Sequence, residues 1–280
     1  MNSNSLSAEK KKKSMISHIK LKKIVVFLCF FSIGFNLYSE SVFTLDLKKD
    51  IVIGAISLGI FFGSFLIDDE PKNIPDSLNK NDVNAFDRWL MFPFDKTLYD
   101  LRYIQLFATS FLPIITPLVV GGWNIIQGFD VWLTYGIMYA QAVSLTYGTR
   151  MSLGRAIERY RPHVYFEGVS SISSLSNNSF PSGSTALSFL PATFLSVTFS
   201  AEYPDSPWKI PVIVGSYTLA TIVGITRILS GVHFLTDVIA GAAIGSFYGW
   251  LIPTLHKRTN NDDKITFHFT GNGCLISLRL

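Results

Sequence analysis

The chain alternates between apolar runs and shorter polar intervals, and that alternation sets the expected architecture. A lysine-rich start ("EKKKK", "KLKK") leads into fourteen largely apolar residues from Ile24 to Leu37. A helical membrane span needs about 20 such residues. A basic opening, a short apolar stretch and the small residues Ser39 and Ser41 have the form of a signal peptide, with an uncleaved anchor as the alternative. Six further apolar segments follow, near Ile51–Ile67, Tyr103–Val120, Val131–Gly148, Gly183–Ser200, Ile210–Ile225 and Phe234–Leu255. Between the first two lies a polar stretch from Asp68 to Asp100, with "FDRWLMFPF" as an interfacial piece. The tail "KITFHFTGNGCLISLRL" alternates apolar and polar residues around Gly-Asn-Gly, which predicts a short β-hairpin. The pattern predicts an all-α, polytopic membrane bundle of six core helices, with a signal-like N-terminal segment and a short C-terminal hairpin. The expected divisions are a basic N-terminus and signal or anchor over 1–41, a six-helix domain over 42–256 and a tail over 257–280.

Composition sharpens this reading. Hydrophobic residues make up 48% and charged residues only 16%, where a soluble domain carries about 25% charged residues. The net charge of +4 is concentrated in the N-terminal lysines and gives no reason to expect nucleic acid as a partner. The two cysteines, Cys29 and Cys274, form neither a disulfide framework nor a metal signature. No metal or cofactor is expected.

Ionisable groups near membrane segments are costly and tend to be functional. They gather in three places. "GRAIERYRPH" holds Arg155, Arg159, Arg161 and His163 after the third span; "FPSGST" opens the fourth; "TRILSGVHFLTD" carries Arg227, His233 and Asp237 between the fifth and sixth. If the spans alternate in direction, all three stretches meet at one membrane surface. Each also has a bland reading: arginines that mark a cytoplasmic face, Ser182 as a helix cap, and a His-x-x-x-Asp pair as surface decoration.

Together the three stretches suit phosphoryl transfer. Arginine forks grip phosphate oxygens and keep their charge. A helix that begins at Gly183 offers free N–H groups and the positive end of its dipole, and glycine lets an oxyanion approach closely. His233 and Asp237 are four residues apart and share a helix face, so a carboxylate beside the imidazole leaves one ring nitrogen free to attack.

These residues resemble the type 2 phosphatidic acid phosphatases and their vanadium haloperoxidase relatives, over roughly residues 85 to 255. Arg161-Pro162 is similar to the end of the family's lysine-x6-Arg-Pro motif, and Pro181-Ser182-Gly183 to its Pro-Ser-Gly-His. Arg227, His233 and Asp237 match its Ser-Arg-x5-His-x3-Asp in spacing, with Thr226 for the serine. The resemblance implies a six-helix membrane enzyme that cleaves lipid phosphates without a metal. His233 would form a phosphohistidine, with Asp237 orienting it. Arg161 and Arg227 would clamp the phosphoryl group, and Ser182 and the Gly183 amide would complete the cradle. The implied partners are membrane lipid and a lipid phosphate or polyprenyl diphosphate. The implied location is a bacterial-type inner membrane with the site on its outer face, although six complete spans after a cleaved signal would turn the site inward. A haloperoxidase is the weaker alternative, because those relatives are largely soluble.

Two positions depart from the family pattern. Gly154 stands where the lysine is expected, with Arg155 adjacent as a substitute cation one helical step away. Ser184 stands where the family has the histidine that protonates the leaving group, a role worth about 10²- to 10⁴-fold. Three outcomes follow: a catalytically impaired, lipid-phosphate-binding pseudophosphatase; an alternative acid, for which His163 is the candidate; or a substrate, such as a diphosphate, whose leaving group needs no acid.

Overall fold

The computed structural model describes residues 41–67, 78–121, 128–167, 177–258, 265–270 and 273–278. The apolar run at Ile24–Leu37, and with it the choice between signal peptide and anchor, lies outside the described residues.

Helices begin where short polar side chains stand ready to cap them. Helix α1 (Leu47–Ser64) starts at Asp46, whose carboxylate accepts the Lys49 N–H at 2.8 Å. The one-turn helix α2 (Ala85–Arg88) starts at Asn84, which accepts the Asp87 N–H at 2.9 Å. Helix α3 (Lys96–Ser110) starts at Asp95, which accepts the Leu98 N–H at 2.9 Å. These caps satisfy donors that the first helical turn cannot.

The expected second span begins earlier than Tyr103 and is interrupted. After α3 the chain passes through a 3₁₀ turn at Leu112–Ile114 and resumes as α4 (Ile115–Gly121). Pro113 lacks the amide that a continuous helix would need there. Helix α5 (Phe129–Ala156) runs past the expected end at Gly148. A single turn, α6 (Val164–Glu167), precedes α7 (Gly183–Glu202), α8 (Lys209–Leu229) and α9 (Leu235–His256). Strands β1 (Ile265–Thr270) and β2 (Gly273–Leu278) pair antiparallel, with Thr270 opposite Gly273.

Among the described residues, four apolar stretches are long enough to cross a membrane: Lys96–Val120, Gly183–Glu202, Lys209–Leu229 and Leu235–His256. Their outward faces carry exposed Ile104, Phe107, Ile210, Val214, Ile222, Ile239 and Phe247. Apolar surface on this scale marks contact with something other than water, and for these helices lipid is the fitting solvent.

Helix α7 is central, packed against α5, α8 and α9. Leu190 and Phe194 of α7 join Met138 and Ala142 of α5 and Ile252 of α9 in the main core. A glycine row on α9 sets the closest approach. A Cβ at Gly241, Gly245 or Gly249 would strike the backbone carbonyl oxygen of Ser182, Ala186 or Leu190, respectively. The four-residue spacing keeps the row on one face, so two backbones pack directly on each other. This contact fixes the start of α7 beside the start of α9. At the other end of the bundle, Glu202 accepts from Ser41 and Tyr135, and Asp50 pairs with buried His256 at 2.6 Å.

Candidate active site at the helix ends

Backbone hydrogen bonds bring the three polar stretches together. The Ser182 N–H donates to the Asp237 carbonyl at 3.0 Å, and the His163 N–H donates to the Gly231 carbonyl at 2.9 Å. Arg159 and the 177–179 segment exchange two bonds around an isolated bridge: Arg159 N–H to the Asn177 carbonyl and Ser179 N–H to the Arg159 carbonyl, both 3.0 Å. Gly231 turns the chain between α8 and α9 at φ +70°, a left-handed conformation that favours glycine, and a Cβ there would strike the carbonyls of Phe92 and Pro93. The segment before α3 therefore lies directly on the turn that carries His233.

His233 is buried, and its Nδ1 lies 2.7 Å from the Ser179 carbonyl oxygen. A carbonyl only accepts, so Nδ1 carries the proton and Nε2 keeps its lone pair. Asp237 lies beside the ring, with its Oδ2 3.7 Å from Nδ1, within ion-pair range and beyond hydrogen-bond length. Asp237 is the third residue of α9, and its carboxylate turns back to accept the Phe234 N–H at 2.8 Å. It also accepts from Ser179 Oγ at 2.6 Å and from Arg159 at 2.5 Å. Asp237 therefore holds the residue that holds the histidine. Burial above all pushes His233 down to about 4; the Arg161 and Arg150 charges add to this and Asp237 opposes it.

Arg161 lies two residues after the isolated bridge at Arg159, with a buried Nε that has no partner among the described residues. Burial lowers it to about 10, with the charges of Arg150 and Arg102 adding to the effect. Arg227 is almost fully buried, and its Nη2 donates to the carbonyls of Leu98 (2.8 Å) and Tyr99 (3.2 Å) at the start of α3.

Arg155 does not reach this group. Its guanidinium donates to the Ser64 carbonyl at 2.5 Å and lies over the Phe65 ring, beside the end of α1. The cation that does reach it is Arg150, which the sequence reading missed. A Cβ on Gly183 would lie 2.8 Å from Arg150 Nε, so the side chain runs along the opening turn of α7. Arg150 and Gly183 line one small cavity with Thr146, Tyr147, Ala186 and Leu187. At Gly154 a Cβ would meet Asn178 Oδ1 and press on the Phe180 carbonyl, so a side chain there would require Asn178 to turn away. Arg150 lies one helical turn before Gly154 on the same face, which was the available signal. Its Nη2 is 3.3 Å from that same Asn178 Oδ1. Arg102, on α3, stacks over Tyr99 and Tyr103 and adds a further positive charge near Arg161.

Ser182 caps α7 in position, but its hydroxyl pairs with Thr185 Oγ1 at 2.8 Å rather than with a backbone amide. The opening amides of α7, Gly183 to Thr185, have no partner within the helix by geometry, an arrangement able to receive an anion. Ser184, half-buried in this turn, offers only a hydroxyl. His163 is turned elsewhere: its Nδ1 lies 3.2 Å from the Gly231 carbonyl and its ring packs on Phe94. Burial lowers its pKa, so near neutrality less of it carries the proton that a general acid must give. Among the described residues, no three His, Cys, Asp or Glu side chains gather as a metal site.

Residues 131–261 match the family model described as the PAP2 superfamily. A lipid A 1-phosphatase of Porphyromonas gingivalis is 40% identical over 74 residues, which is 26% of this chain and 15% of that protein. An uncharacterized 22.5 kDa protein in the cps region of Klebsiella pneumoniae is 33% identical over 81 residues, 29% of this chain and 38% of that one. The matches therefore span well under half the length of these relatives. A solved structure described as the first transmembrane PAP2-type phosphatidylglycerolphosphate phosphatase from Bacillus subtilis aligns with 77% of this chain and 100% of its own, at 19% identity and TM-score 0.42.

Proposed function

We propose, from the match of residues 131–261 to the PAP2 superfamily model, that this chain is a membrane phosphatase of lipid phosphates or diphosphates that works through a phosphohistidine on His233. The observation that carries the proposal is the imidazole itself: it is buried, its Nδ1–H is committed to Ser179, and the charges of Arg161 and Arg150 bear on it.

In the first step the Nε2 lone pair attacks phosphorus, and the bond from phosphorus to the lipid oxygen breaks with its electron pair. Arg161, Arg150 and the opening amides of α7 take up the charge on the phosphoryl oxygens, and Arg227 supports them. In the second step water attacks the phosphohistidine, inorganic phosphate leaves and the imidazole is restored. The step that lacks a partner is protonation of the departing oxygen. Ser184 cannot supply the proton near neutrality, and His163 is engaged with Gly231 and Phe94. A diphosphate fits this gap, because its leaving group is a lipid phosphate that departs as an anion. We assign the site to the outer face of a bacterial-type inner membrane, where α7 and α9 begin.

The second reading, a lipid-phosphate-binding pseudophosphatase, is favoured by Ser184 alone. Release of inorganic phosphate from a panel of lipid mono- and diphosphates, with His233→Ala as control, tests the proposal. Release that depends on His233 supports it. Binding of the lipids without release supports the pseudophosphatase.

A further inference from the structure

One buried ionic cluster beside the site has no part in the steps above. Asp87 on α2 is fully buried. Its Oδ1 accepts the Thr236 N–H at 2.9 Å, and its Oδ2 accepts from Thr236 Oγ1 (2.7 Å), Asn84 (2.7 Å) and Arg159 (2.6 Å). The other arm of the Arg159 guanidinium donates to Asp237 at 2.5 Å and to Thr236 Oγ1 at 2.7 Å, and its Cζ lies 4.1 Å from the Phe234 ring centroid. One cation thus sits between two fully buried carboxylates.

A buried ion pair is weak evidence of added stability. A cation shared by two carboxylates, one of them 3.7 Å from an imidazole, has a more specific consequence. An uncompensated carboxylate at that range draws a proton onto a histidine. The charged groups around His233 are Arg150 from α5, Arg159 and Arg161 from the segment after it, and Asp237 from α9, with Asp87 behind Arg159. Only the Asp237 carboxylate favours an imidazolium, and Arg159 is the cation bonded to it.

We propose that Arg159, anchored by Asp87, is a positioning residue that offsets the Asp237 carboxylate, so that Asp237 orders Ser179 and the start of α9 without protonating His233. Asp87 does two jobs in this scheme. It caps α9 through the Thr236 N–H, and it fixes the guanidinium where both carboxylates share it. The description of His233 as a nucleophile rests on the phosphatase reading; the charge balance itself does not.

The test is a histidine ring titration by NMR on the full chain in detergent micelles. His233 is assigned among the five histidines by its loss in His233→Ala. Arg159→Gln is expected to raise the His233 pKa by about one unit or more. Arg159→Lys, which keeps the charge, is expected to stay within about half a unit of wild type. Asp87→Asn leaves the guanidinium to Asp237 alone and is expected to leave the value unchanged or lower. This opposite behaviour separates charge balance from general loosening. An unchanged value in Arg159→Gln, or a rise in Asp87→Asn, overturns the proposal. If Arg159→Gln does not fold, the Lys and Asn variants still decide, because a rise in either contradicts the scheme. The titration needs no turnover, so absence of phosphate release would overturn the phosphatase reading and leave this result standing.

Discussion

The imidazole of His233 is tied by its Nδ1 to the main-chain carbonyl of Ser179 at 2.7 Å. That carbonyl belongs to the residue whose hydroxyl donates to Asp237 at 2.6 Å. The carboxylate thus reaches the histidine through one intervening residue. Ser179→Ala removes the hydroxyl and keeps the carbonyl, whereas Asp237→Asn alters the anchor itself. Asp237→Asn is expected to lower kcat by about 10²-fold or more. Ser179→Ala is expected to lower it by about 10-fold or less, in the range of one lost hydrogen bond. Steady-state phosphate release compares them, and an equal loss in both would contradict the indirect arrangement.

The pH dependence follows from the burial of His233. Its pKa is lowered to about 4, below the ordinary value near 6.5. The nucleophile is the neutral form, so kcat/KM should hold as pH falls through the ordinary histidine range and decline only as pH approaches about 4. A pH–rate profile for kcat/KM with a soluble short-chain substrate measures this. An acid limb centred near 6.5 that persists when the other four histidines are replaced contradicts the buried-imidazole account.

Arg150 and Arg155 separate the structure from the motif arithmetic. Arg150 lies along Gly183, whereas Arg155 is bonded to Ser64. Arg150→Ala should lower kcat/KM by about 10²-fold, the usual cost of one group that stabilises developing charge. Arg155→Ala should change it by less than about 3-fold, as expected for a substitution away from the site. The reverse order of effects would return the role to Arg155.

Ser184 gives a prediction about substrate. Ser184→His supplies an acid, so it should accelerate monoester cleavage by about 10-fold or more, and diphosphate cleavage by much less. Equal acceleration of both would contradict the leaving-group argument.

The glycine row of α9 makes a stability prediction. A Cβ on Gly245 would strike the Ala186 carbonyl oxygen, and backbone cannot move aside as a flexible side chain can. Gly245→Leu should therefore destabilise the bundle by about 1–3 kcal/mol or more, seen as a lower melting temperature in detergent. Gly215, with nothing within 4 Å of an added Cβ, is the control.

Much of the fold was legible because apolar run length is a strong signal. The long helices lie where the runs predicted them, and the tail pairs as strands where alternation and Gly-Asn-Gly pointed. What the runs could not convey was the break at Pro113 and the extension of α5 to Ala156, since both depend on how neighbours pack. Within the site, the polar stretches that hold Arg161, Gly183, His233 and Asp237 were readable in the sequence, and backbone hydrogen bonds bring those stretches together. Arg150 was not readable, because its role depends on Asn178 occupying the space beside Gly154, a contact between distant segments. Arg159 was visible in its polar stretch, but its partner Asp87 was not, because their 2.6 Å pairing joins residues 72 positions apart.

The account depends most on a covalent step at one nitrogen. Rapid mixing of the full chain with a lipid diphosphate, quenching in base and intact-protein mass spectrometry measure it directly. The predicted result is one phosphoryl group per chain, mapped to His233 and absent from His233→Ala. Phosphate release with no adduct at any quench time, or an adduct that survives His233→Ala, would contradict it.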